Sequence, residues 1–308
     1  MPENAVILEN VTKTFGKQVA VDSLSLIVPA GSVYGFIGPN GSGKTTTLRM
    51  IMRIYYPDQG RIQVLGDDTH GPANDHVSYL PEERSLYKNM KVRDVLRFFA
   101  ELKGHRTTNA EIDDWLDRLK LPGVAMKKVE TLSKGMTQKV QFIATVISKP
   151  RLVLLDEPFS GLDPVNAVVL RELVLDLKRQ GTTVIFSTHD MSVAEKMCDY
   201  IFMIYRGKKV LDGTLGEIRS QYGTDTLRVR GGAPATVLQA LAGVTKVTDH
   251  GNYQELRLTQ GFDHQQILHQ MMSHGRVEHF EITHPSLHDI FVRIASPETE
   301  TAMMGGTE

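Results

Sequence analysis

Only one cysteine, Cys198, stands among the 308 residues. No internal disulfide is available, which fits a reducing compartment. Net charge is nearly absent as well: 35 Lys and Arg against 36 Asp and Glu leave −1. Without a basic excess there is no broad electrostatic footprint for nucleic acid, and none is expected as a partner. Long apolar runs are missing too. Ile201–Tyr205 and Leu152–Leu155 are far short of the roughly 20 residues a bilayer demands. The opening Met1-Pro2-Glu3-Asn4 carries no apolar signal core, so secretion is not expected. What is present is ordinary. Hydrophobic residues make up 41% and charged residues 23%, a composition that folds rather than remaining disordered. At roughly 150 residues per domain, the length predicts two domains in a soluble, cytosolic chain.

Patterning divides the chain in the same way. Ala5–Leu8, Val19–Val28 and Val33–Gly38 read as strands, punctuated by Gly16, Pro29-Ala30-Gly31 and Gly38-Pro39. A helix is predicted from near Gly43 to about Tyr55, with Pro57 and Gly60 as its stop. Arg61–Leu65 and Val77–Leu80 read as strands. From Val92 to Leu121 the period turns helical: Val92, Val95, Leu96 and Phe99 share one face, and Ile112, Trp115, Leu116 and Leu119 another. A further helix is expected over Lys134–Ser148. Strand and helix then alternate through Leu152–Leu155, Val165–Gln180, Thr183–Ser187, Ser192–Cys198 and Tyr200–Tyr205. That alternation predicts an α/β fold with a mostly parallel sheet, interrupted by a helical insertion at about 86–148. After Tyr222-Gly223 the order β-α-β-β-α-β plus a final helix predicts a small C-terminal α+β domain of the ferredoxin-like kind. The expected domains are therefore 1–218 and 219–295, with 296–308 a disordered tail.

Gly38-Pro39-Asn40-Gly41-Ser42-Gly43-Lys44-Thr45 matches G-x-x-x-x-G-K-[ST]. Glycines let such a loop turn successive N–H groups inward, and these dipoles and the helix start behind them hold phosphate oxygens. Lys44 is expected to reach the β- and γ-phosphates, and the Thr45 hydroxyl to ligate Mg²⁺, with Thr46 beside it. A strand before the loop and a helix after it supply the right context. The second element is Leu152-Val153-Leu154-Leu155-Asp156-Glu157. An apolar strand ending in carboxylates delivers Asp156 to the carboxyl edge of a parallel sheet, where ligands bind. Asp156 suits the Mg²⁺ shell, and Glu157 suits the activation or orientation of an attacking water.

With these elements in place, the chain from about Ala5 to Gly216 resembles the ATP-binding subunits of ABC transporters. Leu132-Ser133-Lys134-Gly135-Met136 resembles their signature segment, usually Leu-Ser-Gly-Gly-Gln. Pro158-Phe159-Ser160-Gly161-Leu162-Asp163 resembles the D-loop. His189 stands where the family has its switch histidine, Phe15 where an aromatic stacks on adenine, and Glu82 where the Q-loop usually carries Gln. The resemblance implies a P-loop NTPase fold with an antiparallel β subdomain, and an ATPase that uses ATP and Mg²⁺. It also implies that Ser133 and Gly135 meet the γ-phosphate, and that Glu82 joins the metal or water. Lys134 and Met136 depart from the usual signature. Lys134 either assists anion binding or faces solvent. The Q-loop position falls on Glu82 or Glu83. Asp163 precedes Pro164, so a helix N-cap and a D-loop role are compatible.

In this family ATP is sandwiched between the loop of one subunit and the signature of another. One loop and one signature therefore imply a second ATPase subunit, identical or related, arranged head to tail. The lack of a membrane span implies a separate integral membrane partner, received at about Glu83–Phe99, and a peripheral place on the cytoplasmic face of the membrane. The signature variant and C-terminal extension resemble bacterial ABC-2-type exporters, including the sodium-export-like group. The alternative is a soluble ABC ATPase acting on nucleic acid or the ribosome. Such relatives commonly carry two cassettes or a long coiled coil, which this chain does not.

Seven of the 11 histidines lie after Tyr222, and His264, His269, His274, His279 and His284 recur every fifth residue. A step of five turns a helical side chain by about 140°, away from one face. Metal ligands on a helix need i, i+3 or i+4 spacing, so solvated surface histidines are expected here.

Overall fold

The computed structural model describes residues 3–68, 75–83, 86–222, 226–259 and 261–295. The expected disordered tail at 296–308 lies outside them. The chain divides into two compact units, the first ending at Thr214 and the second beginning at Leu215.

In the first unit the strands are β1 (Asn4–Phe15), β2 (Gln18–Pro29), β3 (Val33–Ile37), β4 (Gln59–Val64), β5 (Asp67–Asp68), β6 (Val77–Leu80), β7 (Leu152–Asp156), β8 (Thr183–Thr188), β9 (Tyr200–Tyr205) and β10 (Lys208–Gly213). The helices are α1 (Lys44–Ile51), α2 (Val92–Leu102), α3 (Asn109–Arg118), α4 (Lys134–Val146), α5 (Pro164–Arg179) and α6 (Met191–Met197). Six strands form the central sheet in the order β10-β9-β3-β8-β7-β6. All its neighbours are parallel except the β9–β10 edge pair. A second sheet, β2-β1-β4-β5, is antiparallel.

The apolar run of β7 shows why the central sheet forms. Leu152 and Leu154 enter one core, with Tyr34, Phe36 and Ile185, against α1 and the antiparallel sheet. Val153 and Leu155 enter the other, with Val184 and Phe186, against α2 to α5. A parallel strand covered on both faces must be apolar at every position, and a run without alternation is the result. Helices α2, α3 and α4 form the insertion between β6 and β7. Their apolar faces, including Val95, Leu96, Trp115 and Phe142, continue the second core.

Several elements differ from the sequence expectation. β1 runs on to Phe15, well past Leu8. Its register shifts between Leu8 and Val11, and Asn10 takes φ 49°. This bulge breaks the period-two pattern, so the second half of the strand reads as a loop. α1 ends at Ile51 rather than near Tyr55. Arg53 at φ 59° leaves the helical region before Pro57 is reached. β10 went unassigned because Lys208-Lys209 opens a polar edge strand. Arg206 and Gly207, at φ 50° and 78°, make the two-residue hairpin turn that joins it to β9.

The second unit comprises α7 (Leu215–Gln221), β11 (Thr226–Gly231), α8 (Ala235–Gln239), β12 (Val244–Asp249), β13 (Gln254–Leu258), α9 (His264–His274), β14 (Val277–Thr283) and α10 (Leu287–Ala295). Its sheet is antiparallel in the order β12-β13-β11-β14. From β11 to β14 this is the ferredoxin-like arrangement. Leu227, Val229, Leu256 and Leu258 face Leu238, Ile267 and Met271 in its core. His264, His269 and His274 fall on α9, His279 on β14, and His284 beyond it. Among the described residues, no three His, Cys, Asp or Glu side chains converge to hold a metal ion.

Candidate functional site

The site grows from the carboxyl ends of β3 and β7, neighbours of β8 in the central sheet. All five residues of β3 are buried, so the strand is held rigidly up to the point where the loop Gly38–Gly43 begins. Two positions in that loop require glycine. A Cβ on Gly38 would stand 2.2 Å from the Ile204 carbonyl oxygen, and one on Gly43 2.5 Å from that of Ala20. Both backbones also take φ beyond +100°, where a side chain is strained.

Gly43 is the N-cap of α1, and no side chain caps this helix. By contrast, α3, α4, α5 and α6 are capped by Thr108, Ser133, Asp163 and Asp190. The first turn of a helix carries N–H groups without partners inside it. At α1 those donors, the loop and the helix dipole together make an anion site. The Ser42 hydroxyl strengthens the case, because its Oγ is buried without a hydrogen-bond partner. A buried polar atom of this kind costs about 1–3 kcal/mol unless something completes it. A phosphate oxygen fits that vacancy in the bonding scheme.

Lys44 lies across the loop. Its Nζ donates to the carbonyls of Gly38 at 2.7 Å and Pro39 at 3.1 Å, and stands 3.8 Å from Glu157 Oε1. Burial lowers its pKa, outweighing the opposing pull of Glu157, Asp156 and Glu82. Asp156 is buried at the end of β7. Its Oδ1 accepts from Thr45 Oγ1 at 3.1 Å and Ser187 Oγ at 2.6 Å, and its Oδ2 accepts from the Tyr79 hydroxyl at 3.1 Å. Ser187 in turn accepts from the Glu157 N–H at 2.9 Å. Burial first, and the Asp156 charge second, push the Tyr79 pKa up to about 12, so this phenol is a donor at neutral pH.

Glu157 follows at φ 48°, which turns its carboxylate away from the strand direction. Its Oε1 lies 3.1 Å from His189 Nδ1. Facing a carboxylate, Nδ1 carries the proton and leaves Nε2 to the open side. A cavity of about 430 Å³ joins the loop residues Asn40–Thr46 to Glu82 and Glu157, with Phe15 on its far wall. Phe15 is 44% exposed, with the Lys13 ammonium 5.6 Å from its ring centre and Tyr55 meeting it edge to face. The hard oxygen donors of Thr45 and Asp156, side by side, suit Mg²⁺.

The structure thus gathers Phe15, the loop, Glu82, Asp156, Glu157 and His189. It does not bring Ser133, Gly135 or Asp163 to the walls of this cavity. Ser133 is exposed and accepts from its own helix, from Met136 N–H at 3.3 Å. Asp163 accepts from Asn166 N–H at 3.0 Å as the cap of α5. Lys134 lines a smaller cavity of about 210 Å³, with Glu82, Asp156 and Glu157 on its other walls. Sequence reasoning missed Tyr79 and Ser187 as partners of Asp156. The only signal was register, Asp156 opposite Ser187 on β8, and register appears only once strands pair. Beside the site, an apolar groove of about 410 Å³ runs along the insertion, walled by Leu86, Phe99, Leu102 and Ala144, and by Tyr79 itself.

Known proteins are similar to this chain in sequence and in fold. The sequence profile of the ABC transporter family matches residues 21–160. Residues 213–295 match the C-terminal domain of DrrA1-3-like ATP-binding proteins. The ABC transporter ATP-binding protein YhaQ of Bacillus subtilis is 40% identical over 287 residues, covering 92% of this chain and 96% of its own. The daunorubicin resistance ATP-binding protein DrrA3 of Streptomyces coeruleorubidus is 34% identical, covering 81% and 82%. A solved ATP-binding subunit of an ABC transporter superposes with a TM-score of 0.66 at 29% identity, over 71% of this chain and 93% of that one. The chain therefore belongs to the ATP-binding subunits of ABC transporters.

Proposed function

We propose that this ATPase subunit drives export through a separate membrane-spanning partner, working from the cytoplasmic face of the membrane. The observation that carries the reading is the cavity in which an uncapped helix start, Lys44 and Glu157 meet, with Asp156 hydrogen-bonded to Thr45 on its wall. Support for export comes from relatives named for Nod factor export and daunorubicin resistance. Among the described residues, no helix is long and apolar enough to cross a membrane. A partner must therefore supply the path if these residues are to move a cargo.

In this reading Phe15 stacks on adenine, and Gly38–Thr46 with Lys44 hold the phosphates. Thr45 and Asp156 would hold Mg²⁺, with Glu82 lining a cavity with each of them. The metal, once bound, neutralises phosphate charge and polarises the bond to be broken. Glu157 takes or orients the proton of the attacking water, and His189 holds Glu157 in place and faces the γ-phosphate through Nε2. Ser133 and Gly135 serve the nucleotide of a second subunit, with Asp163 at the same seam. The apolar groove beside Tyr79 and Phe99 receives the membrane partner.

The test is purification of the intact complex from membranes. The reading predicts that a multi-span protein copurifies and that ATP hydrolysis disappears in Glu157→Gln. A chain that copurifies only with soluble factors, at full ATPase activity, would refute it.

A further inference from the structure

Beside the 2.6 Å bond from Ser187 on β8, Asp156 takes on each oxygen a group that leads back to one helix. Oδ1 takes the Thr45 hydroxyl at 3.1 Å, from the first turn of α1. Oδ2 takes the Tyr79 hydroxyl at 3.1 Å, from β6. Tyr79 in turn stands in the field of the guanidinium of Arg49, near the other end of α1. The bonded series Thr45–Asp156–Tyr79 therefore leaves the helix that begins at the phosphate loop and returns beside Arg49 of the same helix. Arg49 continues outward. Its Nη1 is 3.4 Å from the Tyr55 hydroxyl, and its guanidinium lies 5.9 Å from the centre of that ring. Tyr55 meets Phe15 edge to face, with ring centres 5.2 Å apart and planes at 71°.

These contacts are directional. A carboxylate bonded on one oxygen alone can swing about its Cβ–Cγ bond. One bonded on both is fixed in plane, and the free lone pairs point in a set direction. A phenol is a good second anchor because its hydroxyl is carried on a rigid ring with two torsions. Arg49, bonded to the Tyr55 hydroxyl, sets its positive charge beside the Tyr79 phenol. None of Arg49, Tyr55 and Tyr79 needs to touch the phosphates to do this.

We propose that Arg49 and Tyr79 are positioning residues that hold the Asp156 carboxylate at the angle a divalent cation requires, and tie that angle to the aromatic wall at Phe15. The inference rests on the reading of Asp156 as a metal ligand given above. Partners that orient a ligating group are typically worth 10- to 100-fold in metal affinity. Tyr79→Phe removes one oxygen and keeps the ring, so the fold is preserved.

The test uses the full chain and measures binding rather than turnover. ATP affinity is measured by calorimetry in EDTA, and Mn²⁺ affinity of the ATP-loaded protein by electron paramagnetic resonance. For Tyr79→Phe, Mn²⁺ affinity is expected to fall about 10-fold or more, with ATP affinity in EDTA unchanged. Arg49→Leu should fall similarly, and Arg49→Lys, which keeps a donor, should recover part of the loss. Asp156→Asn is the control for the underlying reading. If it leaves Mn²⁺ binding intact, Asp156 is not the ligand and both readings fail. If it abolishes Mn²⁺ binding while Tyr79→Phe does not weaken it, the positioning role alone is overturned. Equal losses of ATP and Mn²⁺ affinity in Tyr79→Phe would also overturn it, as general loosening of the fold.

Discussion

Two helix starts in the first unit are built for opposite tasks. α1 begins at Lys44 behind a glycine, with no side-chain cap, in a cavity floored by an unpartnered Ser42 hydroxyl. α4 begins at Lys134 behind Ser133, whose hydroxyl is already taken by Met136 N–H, and the Ser133–Lys134 step is exposed. The first start is incomplete within its own chain and asks for a ligand at once. The second is self-satisfied and offers only an edge. In the proposed reading, a nucleotide bound at α1 meets one half of its environment in this chain, and the α4 start serves the nucleotide of a second subunit. α3 marks the limit of the series. Thr108 caps it by accepting from the Glu111 N–H, and Glu111 adds a negative charge in its first turn from within the chain.

The difference between the helix starts predicts a ranking of variants. Lys44→Ala strikes the start that needs its ligand. It should weaken ATP binding by roughly 10- to 100-fold, the weight of a charge-assisted bond of about 1.5–3 kcal/mol. Calorimetry with ATP checks this, and unchanged affinity would place the phosphates elsewhere. Glu157→Gln leaves α1 intact. Turnover should fall by about 10²–10⁴ while ATP affinity holds, which a phosphate-release assay beside a binding assay will separate.

Ser133→Ala acts on the other start. It should cost the fold about 1 kcal/mol as a lost cap, leave ATP binding by the single chain unchanged, and weaken ATP-dependent association. Denaturation and light scattering read the two effects independently. A Ser133→Ala chain that loses ATP binding as a monomer would erase the distinction between the helix starts. Glu111→Gln should have the smallest effect, at most about 1 kcal/mol for a surface network. Burial works against the Glu111 charge, but Lys149, Thr107 and His105 outweigh it and hold the pKa at about 2, below the ordinary 4.5. The stabilisation is therefore complete above about pH 4.5 and is lost as pH falls through 2. In denaturation scans the gap between the native chain and Glu111→Gln should be constant at neutral pH and narrow in acid.

The contrast also explains what could be read from the sequence. Gly38–Thr45 is contiguous, and every requirement for a phosphate cradle is local, so the loop was legible outright. β7 was legible because a strand buried on both faces must be apolar throughout. Tyr79, Ser187 and Arg49 were not, since their relation to Asp156 exists only after β6, β7 and β8 lie side by side. A bulge at Asn10 hid the second half of β1, and the left-handed Arg53 ended α1 early, neither with a sequence signal as strong as a Pro or Gly. In the second unit the strand order followed from the element order, because the ferredoxin-like sheet is nearly fixed by β-α-β-β-α-β.

The central claim we propose is that each chain binds a nucleotide at its incomplete helix start, α1, and lends the start of α4 to a second subunit. Light scattering of the Glu157→Gln chain, with Mg²⁺ and either ATP or ADP, tests it most directly. The account predicts a doubled mass with ATP, a single-chain mass with ADP, and loss of the ATP-dependent doubling in Glu157→Gln/Ser133→Arg. A chain that binds ATP tightly and stays single, or a dimer indifferent to both nucleotide and Ser133, would contradict it.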